Sequence, residues 1–207
     1  MLHRTLVTLL LLFLLSASFV SADEGEWVSL FDGKSLDGWR ASENKESCKV
    51  EDGAIVVHGP RSHLFYVGDV NNGSFTNFEF KVDVKTDPGA NSGVYFHTNY
   101  QETGWPNTGY ETQVNNTGGD ASKTGGLYAV QDETEAPVGD GEWFNLHITV
   151  KGKHIVVKVN GETVSDYTEP DDLDRPSRQL SSGTFAFQAH DPNSRVAYKN
   201  VMVKVLP

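Results

Sequence analysis

The sequence predicts an all-β domain built as a sandwich of two antiparallel sheets. After residue 22, no stretch of the 207-residue chain has sustained helical periodicity. Short runs of alternating apolar and polar residues recur instead, and Gly, Asn, Asp and Pro separate them. Because each such strand has one apolar face, two sheets must pack together to bury those faces.

The strands predicted in the first half of the chain are separated by clear turn signals. Asp52-Gly53 is a hairpin signal, and Pro88-Gly89 ends the longest alternating run. The predicted strands of this half are Trp27–Phe31, Cys48–Val50, Ala54–His58, Leu64–Val67 and Phe75–Thr86.

The second half continues the same pattern. Lys151-Gly152-Lys153 and Asn160-Gly161 are hairpin turns, and the polar segment Glu169–Gln179 allows at most a short helical turn. The predicted strands of this half are Gly93–Thr98, Tyr110–Val114, Leu127–Val130, Trp143–Lys151, Ile155–Val159, Thr184–His190 and Val196–Val205.

Residues 1–22 are typical of a secretory signal peptide. Arg4 precedes the apolar run Leu6–Leu15, and the small residues Val20-Ser21-Ala22 form a cleavage site. The apolar run is too short to span a membrane, although an uncleaved N-terminal anchor is the alternative. We therefore expect a single domain over residues 23–207 that is secreted or periplasmic and makes no membrane contact after cleavage.

The charge balance favours a neutral ligand. The formal net charge is −11, and loss of Arg4, the only Lys, Arg, Asp or Glu in residues 1–22, makes it −12. A surface this acidic repels nucleic acid and anionic lipid, so neither is an expected partner. Cys48 is the single cysteine, so an internal disulfide is excluded, and we expect it to be a small buried residue. Nothing in the sequence indicates an oligomeric state.

The segment Asn91–Val114 concentrates polar groups on two neighbouring strands. Alternation places Tyr95 and His97 on one face of the first strand, and Glu111 and Gln113 on one face of the second. Imidazole and carboxylate groups transfer protons near neutral pH, and amide and phenol groups hydrogen-bond sugar hydroxyls. The alternative is a hydrated sheet face without a function.

Other residues add to the same predicted polar face. Gln188 and His190 belong to a later strand, Lys85 lies near the end of the longest run, and Asn91 begins the segment above. Trp105, in the intervening loop, is able to stack on the apolar face of a sugar. Lys85 is equally well explained as a solvated strand residue, and Trp105 as loop packing. Four other histidines are expected at the surface, namely His58, His63, His147 and His154.

Several short motifs resemble one known family. NSGVYFH (Asn91–His97), GYETQV (Gly109–Val114) and TGGLY (Thr124–Tyr128) are similar to the 3-keto-disaccharide hydrolase family, in the same order. WVSLFDGKSLDGW, GEWFNLHI, VNG and GTFAFQAH extend the resemblance over nearly all of the chain after the first two dozen residues. The resemblance implies a concanavalin A-like jelly roll, as in lectins and glucanases, with a site on the concave face of one sheet. One departure is His97, where the family often has Arg.

The resemblance also implies cleavage of a sugar that is already oxidised to a ketone at C3. Such a sugar has an acidic proton at C2, so a base removes it, the C1 group leaves by β-elimination, and water adds later. The expected catalytic residues are Glu111, His190 and His97. The expected substrate-binding residues are Lys85, Asn91, Tyr95, Trp105, Gln113 and Gln188.

Other functions stay open at this point. Ordinary glycoside hydrolysis is disfavoured because Gln113 stands where a second acid would be expected beside Glu111. A non-catalytic carbohydrate-binding module or a cell-surface structural domain would need no converging titratable groups. A divalent metal held by Glu111 with His97 or His190 is a further option, but no tight spacing motif supports it, so no cofactor is assigned.

Overall fold

The computed structural model describes residues 25–175 and 177–207 and shows two antiparallel sheets packed face to face. The predicted signal segment, residues 1–22, lies outside the described residues. Within them, the only helices are the short 3-10 turns Lys45–Ser47 and Val70–Gly73. The all-β prediction is therefore confirmed.

The strands are β1 Trp27–Ser29, β2 Trp39–Ala41, β3 Cys48–Glu51, β4 Ala54–His58, β5 Ser62–Tyr66, β6 Phe78–Thr86, β7 Ser92–Thr98, β8 Tyr110–Val114, β9 Phe144–Lys151, β10 His154–Val159, β11 Glu162–Thr168, β12 Thr184–Ala189 and β13 Arg195–Val205. One sheet has eight strands in the order β11-β10-β9-β6-β13-β4-β3, with β1 paired to β13, and the other has five in the order β2-β5-β12-β7-β8.

The core between the sheets is rich in aromatic rings. Phe80 of β6 stacks on Phe185 of β12 with ring centroids 4.4 Å apart, and Phe187 stacks on Tyr198 of β13 at 4.1 Å. Each such ring removes roughly 150–250 Å² from water, so these contacts hold the two sheets together. Cys48 lies in the same core, as predicted, and burial raises the pKa of its thiol to about 12.

Two predicted hairpin turns have the backbone that such turns require. Asp52 and Gly53 have φ of 49° and 77°, and Asn160 and Gly161 have φ of 49° and 88°. Left-handed residues at both central positions match the twist of the flanking strands. These turns join β3 to β4 and β10 to β11.

One predicted strand is wrong. Leu127–Val130 does not join a sheet as a strand, because Leu127 makes only isolated bridges to Thr112 and Gln131. Ala129 has a left-handed backbone, φ 58°, which ends the extended conformation after two residues.

A bulge in β7 changes the direction of one predicted site residue. Tyr95 pairs with Ala186 and Thr98 pairs with Thr184, so two residues of β7 oppose one residue of β12. His97 is the extra residue, with a left-handed φ of 55°. Alternation holds only in a regular strand, so the prediction that His97 shares the face of Tyr95 is wrong.

Candidate active site

A cavity of about 290 Å³ lies on the face of the five-stranded sheet that is turned away from the other sheet. Its volume is close to the lower end of the range for small-molecule sites, roughly 300–1,000 Å³. The lining residues are Asn91, Tyr95, Trp105, Glu111, Gln113, Asp120, Tyr128, Arg178, Gln188 and His190. This set contains every site residue predicted from the sequence except His97 and Lys85.

Glu111 is held on the cavity floor by three neighbours. Gln188 donates its Nε2–H to Glu111 Oε1 at 2.9 Å, and the Tyr95 hydroxyl also hydrogen-bonds the carboxylate. Arg178 donates from Nη2 to Glu111 Oε2 at 3.4 Å. Only 4% of Glu111 is exposed, so the carboxylate has lost almost all of its hydration.

The surroundings of Glu111 bring its pKa close to neutrality. Burial is the largest influence and raises the pKa of Glu111 to about 7. The hydrogen bond with Tyr95 and the positive charge of Arg178 act in the opposite direction and keep the ionised form accessible. A carboxyl group with a pKa near 7 exists in both acid and base forms at neutral pH, which is the condition for general acid–base catalysis.

Glu111 has room for its side chain because a glycine lies beside it on β7. A Cβ on Gly93 would lie 2.3 Å from Glu111 Oε1 and 2.9 Å from its Cγ. The backbone of Gly93 is not in the left-handed region, so the site requires glycine for space and not for conformation. Any side chain at this position must displace the carboxylate.

A chain of hydrogen bonds orients His190. Its Nδ1 lies 2.8 Å from Asp191 Oδ2, and Ser194 Oγ donates to the same oxygen at 2.9 Å. Ser194 Oγ accepts the backbone N–H of Asn91 at 2.9 Å. Burial acts to raise the pKa of Asp191, but hydrogen bonds, led by that of His190, lower it overall. The carboxylate therefore places a proton on Nδ1 and leaves Nε2 of His190 for a ligand.

Amide side chains complete the floor. Gln113 donates its Nε2–H to Asn91 Oδ1 at 2.8 Å, which leaves Gln113 Oε1 and Asn91 Nδ2 for other partners. Gln188 also donates to the Tyr95 hydroxyl at 2.9 Å, and its buried Oε1 has no hydrogen-bond partner among the described residues. Amides offer donors and acceptors together, as sugar hydroxyls require.

Trp105 lies on the rim of the cavity. The residue is 45% exposed, and its ring centroid lies 5.3 Å from that of His190. Arg61 places its guanidinium carbon 5.2 Å from the indole centroid. Part of the indole is therefore free to contact a ligand at the mouth of the cavity.

The two remaining predicted residues lie elsewhere. Lys85 is on β6 of the eight-stranded sheet, opposite Ala197, and its buried neighbours Val84 and Thr86 show that it points to the outer face of that sheet. Its predicted role in substrate binding is wrong because alternation cannot distinguish the outer face of one sheet from that of the other.

His97 lies outside the cavity, with its ring centroid 5.7 Å from that of Phe78 in the core. Its Nδ1 accepts the backbone N–H of Ser181 at 3.1 Å, so Nε2 carries the proton that is shared with Thr76 O at 2.9 Å. Burial lowers the pKa of His97, which favours this neutral form. The assignment of His97 as a catalytic residue is therefore corrected, and the structure makes it an anchor for the chain near Ser181.

The anchored stretch, residues 169–175 and 177–182, is called here the Arg178 segment. At its other end, Glu169 Oε2 accepts the Tyr110 hydroxyl at 2.6 Å and the Leu180 N–H at 2.7 Å. Arg178 itself has a left-handed φ of 61°. Buried acceptors at both ends thus hold the segment that brings Arg178 to Glu111.

Three lining residues were not predicted from the sequence. The Arg178 guanidinium carbon lies 5.9 Å and 5.7 Å from the ring centroids of Tyr95 and Tyr128. Arg178 follows no strand, so no periodicity marks it, whereas Tyr128 ends the TGGLY motif, which was a usable signal. Asp120 lies in a loop, with its Oδ1 accepting the Ser122 N–H at 3.0 Å.

The prediction that His63 lies at the surface is wrong, because the residue is 0% exposed. Its strand β5 sends Leu64 into the main core and His63 to the face that carries the cavity. There the rings of Tyr95 and Trp105 cover it, at centroid distances of 5.4 Å and 5.5 Å.

Among the described residues, no group of three or more His, Cys, Asp or Glu side chains is placed to hold a metal ion. His97, one of the two histidines considered as ligands beside Glu111, lies outside the cavity. We therefore assign no metal ligand in this site.

The sequence profile of the 3-keto-alpha-glucoside-1,2-lyase-like domain matches residues 26–204. The chain belongs to this family. One curated relative is the 3-keto-disaccharide hydrolase of Bacteroides thetaiotaomicron, which is 31% identical to this chain over 81 residues. The aligned part covers 36% of this chain and only 28% of that relative. The resemblance read from the sequence motifs is confirmed.

Solved structures agree on the fold. A proposed glycosyl hydrolase from Parabacteroides distasonis superimposes with a TM-score of 0.73 at 27% identity, covering 88% of this chain and 94% of that chain. A carbohydrate-binding module from Bacillus subtilis superimposes with a TM-score of 0.54 at 13% identity, covering 90% and 99%. At 13% identity, the carbohydrate-binding module shows only that the fold is shared. The predicted jelly-roll sandwich is confirmed.

These relatives support a carbohydrate-active, hydrolase-like protein. In the part of the chain that the structure describes, no helix is both long enough and apolar enough to cross a membrane.

Proposed function

We propose that this chain cleaves 3-keto-glycosides by removing the C2 proton of the oxidised sugar and expelling the group at C1. The family description supports the substrate class, because it names a 3-keto-alpha-glucoside 1,2-lyase. The observation that carries the proposal is the state of Glu111. This carboxyl group is 4% exposed in a ligand-sized cavity, and its pKa is raised to about 7.

Glu111 is the proposed base. The C3 ketone makes the C2 proton acidic because the electron pair left behind is shared with the C3 oxygen as an enolate. A base with a pKa near the working pH removes such a proton most effectively. Glu111 becomes a neutral acid in this step, and the negative charge moves to the sugar.

Arg178 supplies a positive charge for that enolate. Its side chain is 17% exposed and contacts Glu111 Oε2 at 3.4 Å before the reaction. When Glu111 takes the proton, the guanidinium loses its anionic partner and remains beside the new negative charge. A preorganised donor of this kind typically contributes about 10²–10³-fold in rate.

His190 is the proposed acid for the leaving group. The proposed acid form is the imidazolium ring: Asp191 accepts the Nδ1 proton at 2.8 Å, and Nε2 carries the second proton, which is given to the C1 oxygen. Collapse of the enolate forms a C1–C2 double bond and breaks the C1–O bond, and the leaving oxygen takes the proton. Water then adds: its oxygen bonds to C1, Glu111 returns the proton to C2, and His190 takes the proton that the water loses. Both residues regain their starting forms, so the sum is hydrolysis.

The remaining lining residues bind the sugar. The amides of Asn91, Gln113 and Gln188 and the hydroxyl of Tyr95 match its hydroxyl groups. Trp105 offers its exposed indole to an apolar sugar face at the cavity mouth.

The test compares 4-nitrophenyl 3-keto-α-glucoside with the same glycoside before oxidation and follows nitrophenol release by absorbance. We expect release from the keto substrate only, and a loss of about 10²–10⁴-fold in Glu111→Gln. Lys85→Ala is the control, because Lys85 lies on the other sheet.

Two outcomes would replace the proposal. Release from the unoxidised glycoside that is lost in both Glu111→Gln and Asp120→Asn would indicate an ordinary two-acid glycosidase. Binding of glycosides without cleavage of either substrate would indicate a carbohydrate-binding module.

We also propose that the domain, residues 23–207, acts after export. The signal-like residues 1–22 support this localisation. N-terminal sequencing of the exported protein should begin at Asp23, and material that begins at Met1 would contradict it.

A further inference from the structure

His63 is a buried polar residue beside the cavity whose hydrogen-bonding capacity is unused. It is 0% exposed, and neither ring nitrogen has a hydrogen-bond partner among the described residues. Burial lowers the pKa of His63 to about 3, so the ring is neutral, with one donor and one acceptor. Leaving both groups buried and unpaired is unfavourable, so a ligand that supplies partners would gain free energy here.

Trp105 is the cover over His63 on the cavity side. The two rings meet edge to face at a centroid distance of 5.5 Å, and the Trp105 ring also reaches His190 at 5.3 Å. The covering residue is itself 45% exposed. His63 is therefore separated from the cavity mouth by a side chain that already lies at the surface.

The loop that carries Trp105 is held down by polar contacts near the surface. Gly104 donates its N–H to Glu43 Oε1 at 3.0 Å, and Arg61 binds the same oxygen at 2.7 Å. Arg40 and Glu102 form a second ion pair at 2.8 Å, with 54% and 69% of their side chains exposed. An exposed pair such as Arg40–Glu102 contributes little stability, so this ion pair is a small obstacle to movement of the loop.

We propose that the Trp105 loop moves aside for a two-ring substrate and that His63 then hydrogen-bonds the ring that leaves. This inference rests on the proposed function, in which His190 protonates the oxygen joining the two rings. Trp105 lies against His190, so the leaving ring emerges beside it. Neighbouring sugar hydroxyls supply both an acceptor and a donor for the two ring nitrogens, and the indole stacks on the apolar ring face.

The test uses equilibrium binding of unoxidised sugars, so it does not depend on catalysis. Calorimetry compares methyl α-glucoside with the two-ring sugars trehalose and maltose. In the wild type, we expect at least one two-ring sugar to bind about tenfold more tightly than the one-ring sugar. His63→Phe should remove most of that advantage, while the matched substitution His154→Phe, at an exposed position on β10 of the other sheet, should preserve it.

The outcomes separate this inference from the proposed function. Equal binding of one-ring and two-ring sugars by the wild type, or an unchanged ratio in His63→Phe, overturns the second subsite. Failure to cleave 3-keto substrates overturns the proposed function and leaves the binding ratio as an independent result. His63→Phe should unfold at the same temperature or higher, because it removes two unpaired polar atoms from a site lined by aromatic rings.

Movement of the loop has its own readout. The Gly104 amide is protected by Glu43 in the closed position, so hydrogen exchange at Gly104 should accelerate when the two-ring sugar binds. Methyl α-glucoside should leave that exchange rate unchanged. Undiminished protection of Gly104 at saturating two-ring sugar overturns the movement of the cover.

Discussion

Arg178 donates to Glu111 across 3.4 Å, although the two residues are 67 positions apart in the chain. The strand β8 fixes one partner, and the irregular Arg178 segment brings the other. Charge on Arg178 acts to lower the pKa of Glu111, against the larger effect of burial. The contact therefore sets both the basicity of the carboxylate and the position of the cation that remains when the carboxylate is neutralised.

The pH dependence of the reaction follows from this contact. Because Glu111 must be ionised to act as a base, kcat/KM should fall as pH drops through about 7. Arg178→Ala should shift that fall to higher pH, since a stabilising charge is lost, and should lower the plateau about 10²-fold. A pH–rate profile of both proteins checks this, and an acid limb at the same pH in the variant would contradict the assignment.

The same carboxyl group should influence stability. Its pKa is raised from 4.5 to about 7 in the folded protein, so between these values only the unfolded chain releases the proton. The free energy of unfolding contributed by Glu111 therefore falls as pH rises through this window. Glu111→Gln lacks that loss, so its stability relative to the wild type should increase by up to about 3 kcal/mol between pH 4.5 and pH 7.

Urea unfolding of both proteins across this pH range measures the difference directly. A stability difference that does not change with pH would show that Glu111 titrates alike in the folded and unfolded chains.

Gly93 should be needed for the position of Glu111. Gly93→Ala would place a Cβ 2.3 Å from Glu111 Oε1, so the carboxylate must move. A displacement of about 1 Å is able to cost roughly 10²-fold in rate, and we expect kcat to fall by that order while the fold is kept. Gly139→Ala is the matched control, because an added Cβ there meets nothing within 4 Å. Full activity in Gly93→Ala would mean that the carboxylate position is not critical.

His97 should act through Arg178. His97→Leu removes the acceptor for Ser181 and the donor to Thr76, so the Arg178 segment loses one anchor. We expect about a tenfold lower kcat with a smaller change in KM, and partial recovery in His97→Gln, which restores a donor and an acceptor. The double variant His97→Leu with Arg178→Ala should be no slower than Arg178→Ala alone. Losses that multiply in the double variant would sink this positioning role.

The sequence predicts the sheet residues of the site well because alternation is a property of regular strands. Glu111 and Gln113 on β8, and Gln188 on β12, take the predicted face. The predicted face of His97 is wrong because one bulge residue interrupts the alternation. No residue in NSGVYFH indicates that a bulge is present. The predicted binding role of Lys85 is wrong for a different reason. The alternation of a strand assigns each residue to a face, but it does not show which sheet the strand joins.

The loop contributions are less accessible from sequence. Arg178 lies in a segment without periodicity, and its position depends on contacts of Glu169 and Ser181 with distant residues. His63 lies just before the predicted strand Leu64–Val67 and near a turn, so the sequence predicts it at the surface. Its burial depends on Trp105, which arrives from a loop more than 40 positions later in the sequence.

The central claim is that Glu111 removes the C2 proton before the C1 group leaves. The most direct measurement uses a 3-keto-disaccharide carrying deuterium at C2 and follows both the rate of cleavage and the label in the product. We predict slower turnover than with the protium substrate, appearance of the label in solvent, and loss of both cleavage and exchange in Glu111→Gln. Equal rates for the two substrates, with deuterium fully retained at C2, would contradict the account.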